Sequence, residues 1–246
     1  MLSARRLVAS SLLKKTNSIS FLISTPETLP ISVPTRSYNK GSRGHGWYVK
    51  YRRGDGGRHL QGFQFDQTHY SNLNDKLFAH QAKSTTTAYL TIDTSTDATK
   101  GGRIELEVLS SLLPLAGSNF LKLLSHPDGY QNSTIMRVEK EVGVIFGGHK
   151  NACHPDLASL PGGTHFDDEG YFLAPLKGVA ILVSEGKDKN ESRFMILTED
   201  SPHLVGRCVP FGRVKSGMDV VESVSKVFTK RGKPAVPLEV VSCGII

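Results

Sequence analysis

The stretch 178–214 constrains the fold of this chain most, because its pattern is that of consecutive β-strands. Two apolar runs, 179–183 and 193–197, flank a polar segment rich in the residue types that favour tight turns. A third run, 208–214, follows after a short loop. Alternation and β-branched residues predict strands at all three places, so we expect a mainly β protein.

The segments on either side extend this pattern. The runs 89–94 and 102–108 alternate around a turn at 97–101, which predicts a β-hairpin. Pro114 lies early in a helical pattern over 109–125, where its missing N–H costs least. One face of this helix is apolar and is expected to cover a sheet: Leu113, Ala116, Phe120 and Leu124.

The C-terminal part predicts three further elements. A second helix is expected over 216–228, a basic turn over 230–233 and a last strand over 238–243. Strands therefore outnumber helices along the whole of 84–246, and we take this range as one domain.

Three groups of residues in this domain resemble the cyclophilins. The first comprises Pro114, Asn119 and Phe120; the second comprises Tyr130, Ser133, Arg137, Gly147, Gly148, Phe166, Asp168 and Glu169. The third comprises Ser192, Phe194, Ile196, Thr198, Leu204, Gly206, Phe211, Gly212 and Val214. The resemblance covers about residues 85–246, with one extra residue between Arg137 and the paired glycines. It implies a closed eight-stranded barrel capped by two helices, with a poorly structured N-terminal extension.

The resemblance also implies a site for peptidyl-prolyl cis-trans isomerisation. Rotation about an X-Pro bond is slow because the nitrogen lone pair is delocalised into the carbonyl. Arg137 takes the position of the guanidinium that donates to the prolyl nitrogen, so neither a metal nor a cofactor is needed. The substrate-binding positions fall on Phe146, Ser184, Arg193, Met195, His203, Leu204 and Cys208.

Several of these positions depart from the family pattern. Phe146 replaces a glutamine, Ser184 a longer asparagine, His203 a tryptophan and Cys208 a histidine. Arg193 replaces a second glutamine and is expected to place another positive charge near Arg137. Polar groups that stabilise the twisted peptide are thus missing, and we expect weak isomerase activity or none. The alternative is a non-catalytic subunit of a large mitochondrial assembly, such as a respiratory complex or the mitochondrial ribosome.

The first 38 residues resemble a mitochondrial presequence. Residues 1–26 include Arg5, Arg6, Lys14 and Lys15, many serines and threonines, and no acidic residue. A secretory signal is the rival interpretation, but its apolar centre would be short and would end in two lysines. We expect mitochondrial localisation, in the matrix or facing it, and no transmembrane segment.

Residues 39–83 form a basic arm ahead of the domain. The first 62 residues hold 11 Lys and Arg against two acids, whereas the whole chain has a net charge of +7, so the remainder is slightly acidic. Glycines and cations surround Trp47, Tyr48 and Tyr51 within 40–62, a composition that suits either RNA or a protein partner. Residues 63–81 show helical spacing.

The cysteines and histidines predict no metal site. His149, Cys153, His154 and His165 lie near one another in sequence but match no familiar ligand spacing. The three cysteines are too few and too scattered for a disulfide framework.

Overall fold

The computed structural model of the chain describes residues 66–94 and 101–246. The α-helices within these ranges are α1 (Gln67–His80), α2 (Pro114–Leu123) and α3 (Met218–Ser225). The strands are β1 (Thr86–Thr94), β2 (Gly102–Val108), β3 (Arg137–Glu139), β4 (Gly143–Phe146), β5 (Val179–Leu182), β6 (Phe194–Leu197), β7 (Pro210–Ser216), β8 (Thr229–Lys230), β9 (Lys233–Pro234) and β10 (Leu238–Ile245). Within these two ranges, no helix has the length and apolar character needed to cross a membrane.

Eight of the strands form one antiparallel sheet in the order β10-β1-β2-β7-β5-β6-β4-β3, and β8 pairs with β9. The predicted hairpin is β1 and β2, which pair directly; most of the turn predicted at 97–101 lies outside the described residues. The three strands predicted within 178–214 are β5, β6 and β7. The mainly β fold is therefore confirmed.

The sheet curls until its two ends meet. Residues just before β3 bond to the start of β10: the N–H of Asn132 donates to Val240 (2.7 Å), and that of Ile135 donates to Leu238 (2.8 Å). Thr134 and Glu239 form an antiparallel bridge between these two bonds. Joining the ends satisfies backbone groups that an open edge would leave to solvent.

Aromatic rings fill the interior beneath α2. Phe120 of this helix contacts Tyr130, Phe194 and Phe211 at centroid distances of 5.2–5.4 Å. Pro114 occupies the first turn of α2 as predicted, and both carboxylate oxygens of Glu169 accept backbone N–H groups there, from Leu115 (2.8 Å) and Ala116 (2.7 Å). The predicted apolar face of the helix, Leu113, Ala116, Phe120 and Leu124, is buried.

Helix α1 confirms the helical spacing seen at 63–81 and adds a third helix to the two that the sequence predicts as caps. The amide of Asn74 donates to the carbonyl of Ala174 (3.1 Å) and accepts from the N–H of the same residue (3.0 Å). The guanidinium of Arg213 in β7 lies 4.0 Å from the ring centroid of Phe78 and 2.8 Å from a carboxylate oxygen of Asp75. These contacts attach the last part of the basic arm to the domain.

Asn74→Ala is expected to lower the free energy of unfolding by about 2 kcal/mol, because it leaves the buried N–H and C=O of Ala174 without their partner. Chemical denaturation of the full chain measures this. Asn72→Ala on the exposed side of the same helix is the matched control. Equal stability of the two variants would show that α1 does not hold the domain together.

Candidate functional site

One row of paired residues crosses four strands of the sheet on a single face. Arg137 of β3 pairs with Ile145 of β4, which pairs with Met195 of β6, which pairs with Ile181 of β5. Directly paired residues point to the same side of a sheet, so all four side chains lie on one face. The aromatic interior lies on the opposite face, because Phe146 and Phe194 alternate with this row.

The row becomes less exposed from Arg137 toward Ile181. Arg137 is exposed, Ile145 is half-buried, Met195 is 8% exposed and Ile181 is 1% exposed. Met195 lies over Gly143, where an added Cβ would meet its Cγ at 2.8 Å and its Sδ at 2.9 Å. The accessible end of the row is therefore Arg137 with Ile145 and the edge of Met195, an arrangement that places a cationic donor beside apolar side chains that a ring such as proline can contact.

Arg137 has an acidic neighbour that the sequence analysis missed. Its Nε forms an ion pair with Glu139, two residues along the same strand and on the same face. The side chains are 53% and 38% exposed, so the pair is solvated. The carboxylate occupies one donor of the guanidinium and reduces the positive potential that the other donors present. The i, i+2 spacing of strand residues is the signal that could have identified Glu139.

Phe146 does not line the face that carries Arg137, which corrects the position expected from the sequence. Its ring stacks on Phe194 at a centroid distance of 5.0 Å and an interplanar angle of 8°, and it is 2% exposed. Ile145 is the residue of β4 that pairs with Arg137, so Ile145 faces the groove instead. The groove still lacks a hydrogen-bonding side chain from β4, because isoleucine has none.

The charge of Arg193 is compensated, which corrects the expected second positive charge. Its Nε and Nη2 each lie 2.9 Å from Oε2 of Glu191, and Nη2 also lies 3.1 Å from Glu185. Glu191 is buried, and its other oxygen lies 3.1 Å from Nε2 of His165. Arg193 thus serves first as the partner of a buried carboxylate.

The other predicted substrate-binding residues lie on loops after β5 and β6. Half-buried Ser184 follows β5. His203 and Leu204 belong to a short 3₁₀ turn, Pro202–Leu204, in which His203 is buried. Burial raises the pKa of Cys208 to about 11, so its thiol stays protonated at neutral pH and is a poor nucleophile.

Residues shared with the family pattern serve mainly to build the scaffold. The hydroxyl of buried Tyr130 donates to the carbonyl of Ser192 (2.8 Å), and Ser133 donates to the carbonyl of Tyr130 (2.6 Å). The amide of Asn119 donates to the carbonyl of Glu191 (3.0 Å). These bonds explain how the barrel keeps its shape while side chains in the groove differ.

No metal centre is visible in the described part of the chain. Within 66–94 and 101–246, His, Cys, Asp and Glu side chains form no group of three that could hold a metal ion. The residues described above supply hydrogen bonds, charge and apolar surface.

Comparison with known proteins agrees with this geometry. Residues 89–245 match the model of the family described as cyclophilin type peptidyl-prolyl cis-trans isomerase. Peptidyl-prolyl cis-trans isomerase 11 of Caenorhabditis elegans is 28% identical over 176 residues, which cover 68% of this chain and 96% of that protein. Peptidyl-prolyl cis-trans isomerase H of Mycosarcoma maydis is 29% identical over 155 residues, 59% of this chain and 99% of that protein.

Much longer proteins also match the domain. The NK-tumor recognition proteins of Mus musculus and Homo sapiens are each 31% identical over 157 residues. This match covers 59% of the chain but only 11% of either relative. The similarity therefore concerns one domain of those proteins.

Proposed function

The chain belongs to the cyclophilin-type peptidyl-prolyl cis-trans isomerase family, and from this premise we propose that it binds prolyl peptides at the Arg137 row but isomerises them weakly. The observation that carries the proposal is the row itself. Arg137 is kept beside apolar Ile145 and Met195, while Glu139 occupies one of its donors. Binding the proline ring needs apolar surface, whereas speeding rotation needs donors aimed at the twisted bond.

Peptide titration of the full-length chain tests the binding part of this proposal. A tetrapeptide with a central proline should bind measurably, whereas the same peptide with alanine should bind more weakly. Met195→Gln should weaken binding of the prolyl peptide about tenfold, because it places an amide in an apolar contact. Met218→Gln, on α3 and outside the row, is the matched control. Equal affinities for the two peptides would contradict the proposal.

We further propose that the protein is imported into mitochondria. The support is the basic, acid-free composition of residues 1–26, which lie outside the described residues. Residues 1–38 fused to a fluorescent protein should direct it to mitochondria, and a chain without them should stay outside. Glycosylation at Asn132 in the cell would contradict this, since it would require the secretory route.

Membership of a large mitochondrial assembly is the second candidate function. It is favoured by the uneven charge, since the first 62 residues hold 11 of the 30 Lys and Arg residues but only two of the 23 acids. The segment 40–62, proposed to contact RNA or a protein, lies outside the described residues. Size fractionation of mitochondrial extract should place the chain with a large complex. Loss of that association after nuclease treatment would identify RNA as the link, and recovery of the free protein alone would contradict this candidate.

A further inference from the structure

A group of exposed cations lies in and just before the segment 229–234, whose Gly232 packs against Arg137 and Val138. Four cations and no acid occur within residues 226–233: Lys226, Lys230, Arg231 and Lys233. All four are exposed, and none makes an ion pair with any residue that the structure describes. Most arginines of the same domain do make such pairs, for example Arg193 and Arg213. We call strands β8 and β9 with their turn, residues 229–234, the basic hairpin.

The basic hairpin holds its charges in an arrangement that costs stability. Lys230 and Lys233 are direct cross-strand partners, and like charges in such a pair are destabilising. Arg231 in the turn has a φ of 54°, a region that favours glycine over residues with a side chain. The unfavourable charge arrangement would be relieved by an anion bound between the two strands.

The turn of the basic hairpin lies against β3 beside Arg137. The carbonyl of Gly232 accepts from the N–H of Val138 in β3 (2.8 Å), which holds the turn against that strand. A Cβ added at Gly232, whose φ is 84°, would lie 2.8 Å from Nε of Arg137. A peptide that places its proline beside Arg137 can therefore reach Lys230 and Lys233 with residues flanking the proline. The exposed ring of Phe228 immediately precedes β8 in the sequence.

We propose that the basic hairpin is a subsite for acidic side chains, so that the groove selects prolines flanked by aspartate or glutamate. This inference rests on the proposed prolyl-peptide function and names the class of peptide that the same groove takes. A nucleic acid is less favoured, since residues 63–246 hold 19 Lys and Arg against 21 acids. A nucleic-acid surface normally extends along a basic face, whereas three of these four cations lie within one short hairpin and the fourth, Lys226, lies just before it.

Peptide titration at low salt with the full-length chain tests the subsite. The probes are a prolyl peptide with two glutamates on each side of the proline and the same peptide with glutamines. The glutamate peptide should bind about fivefold to tenfold more tightly, as expected for two or three exposed charge pairs. The preference should largely vanish at 0.5 M salt, where the screening length falls to roughly 4 Å.

Two double variants test whether the preference for the glutamate peptide depends on the basic hairpin. Lys230→Gln with Lys233→Gln should remove it, whereas Lys76→Gln with Lys83→Gln, which removes two exposed cations elsewhere, should retain it. The hairpin variant should also unfold at the same temperature as the parent chain or a higher one, because it removes a like-charge pair. This stability readout excludes misfolding as the cause of any loss.

The outcomes separate this inference from the proposed function. Equal binding of the two peptides would contradict the subsite but not the prolyl groove. A preference that remains in the Lys230→Gln, Lys233→Gln variant would do the same. Failure of both peptides to bind would overturn both. Binding of a single-stranded oligonucleotide that the hairpin variant loses, without any preference between the peptides, would make the hairpin a nucleic-acid contact instead.

Discussion

Phe146→Gln is expected to lower the free energy of unfolding by about 3–5 kcal/mol, enough to abolish cooperative folding of a marginally stable domain. The ring is 2% exposed and stacks on Phe194, which in turn contacts Phe120 and Phe211. Glutamine would remove these contacts and bury an amide that needs hydrogen-bond partners. Chemical denaturation of the full chain, monitored by circular dichroism, measures the change.

Ile145→Gln is the matched control, because it makes the same chemical change one residue earlier in β4. Ile145 is half-buried on the groove face, so its amide can reach solvent and the cost should be about 1 kcal/mol. Comparable losses in the two variants, or a larger loss for Ile145→Gln, would mean that the register assigned to β4 is wrong.

Phe146 and Ile145 show which part of the structure could not be predicted from the sequence. Strands β1, β2, β5, β6, β7 and β10, α2 with its buried face, and α3 all followed from apolar periodicity and from the family pattern, and the structure confirms them. Strands β3 and β4 were not predicted individually, and β8 and β9 lie where only a basic turn was expected. Periodicity alone cannot determine register across an inserted residue. A difference of one position in β4 exchanges the interior and groove faces, and the observed register places Phe146 inside and Ile145 on the groove face.

Electrostatic partners were equally hard to predict. The family pattern assigns Arg137 and Arg193 to the groove. The electrostatic potential that each arginine presents to a peptide depends on which carboxylates the fold brings near it. Glu139 lies next to Arg137 on the same strand, whereas Glu185 reaches Arg193 through the loop after β5. Loop geometry of that kind follows from tertiary packing and is not visible in spacing.

Restoring donors around Arg137 should recover part of the isomerase activity. The set is Glu139→Gln, which frees the guanidinium, Ile145→Gln, which supplies an amide on its face, and Ser184→Asn, which restores a longer amide in the loop after β5. A charge-assisted hydrogen bond contributes about 1.5–3 kcal/mol, so regaining one in the transition state corresponds to roughly tenfold to 150-fold faster turnover.

Two controls belong with this triple variant. Adding Arg137→Ala to it should remove the gain, because the new groups act by orienting that arginine and the peptide. Omitting Ile145→Gln from the set should give a smaller gain, since no amide would then lie beside Arg137 on β4. Arg193 is left unchanged, because removing it would leave the buried carboxylate of Glu191 with only His165 as its partner.

Turnover of a prolyl tetrapeptide by the unmodified full-length chain, measured beside Arg137→Ala, tests the weak-isomerase account most directly. Loss of two charge-assisted interactions, about 4 kcal/mol together, corresponds to roughly a thousandfold slower rate than a complete groove would give. We expect a rate barely above the uncatalysed one and little further loss on Arg137→Ala. Robust turnover by the unmodified chain, abolished by Arg137→Ala, would contradict it and show that the arginine suffices even when paired with Glu139.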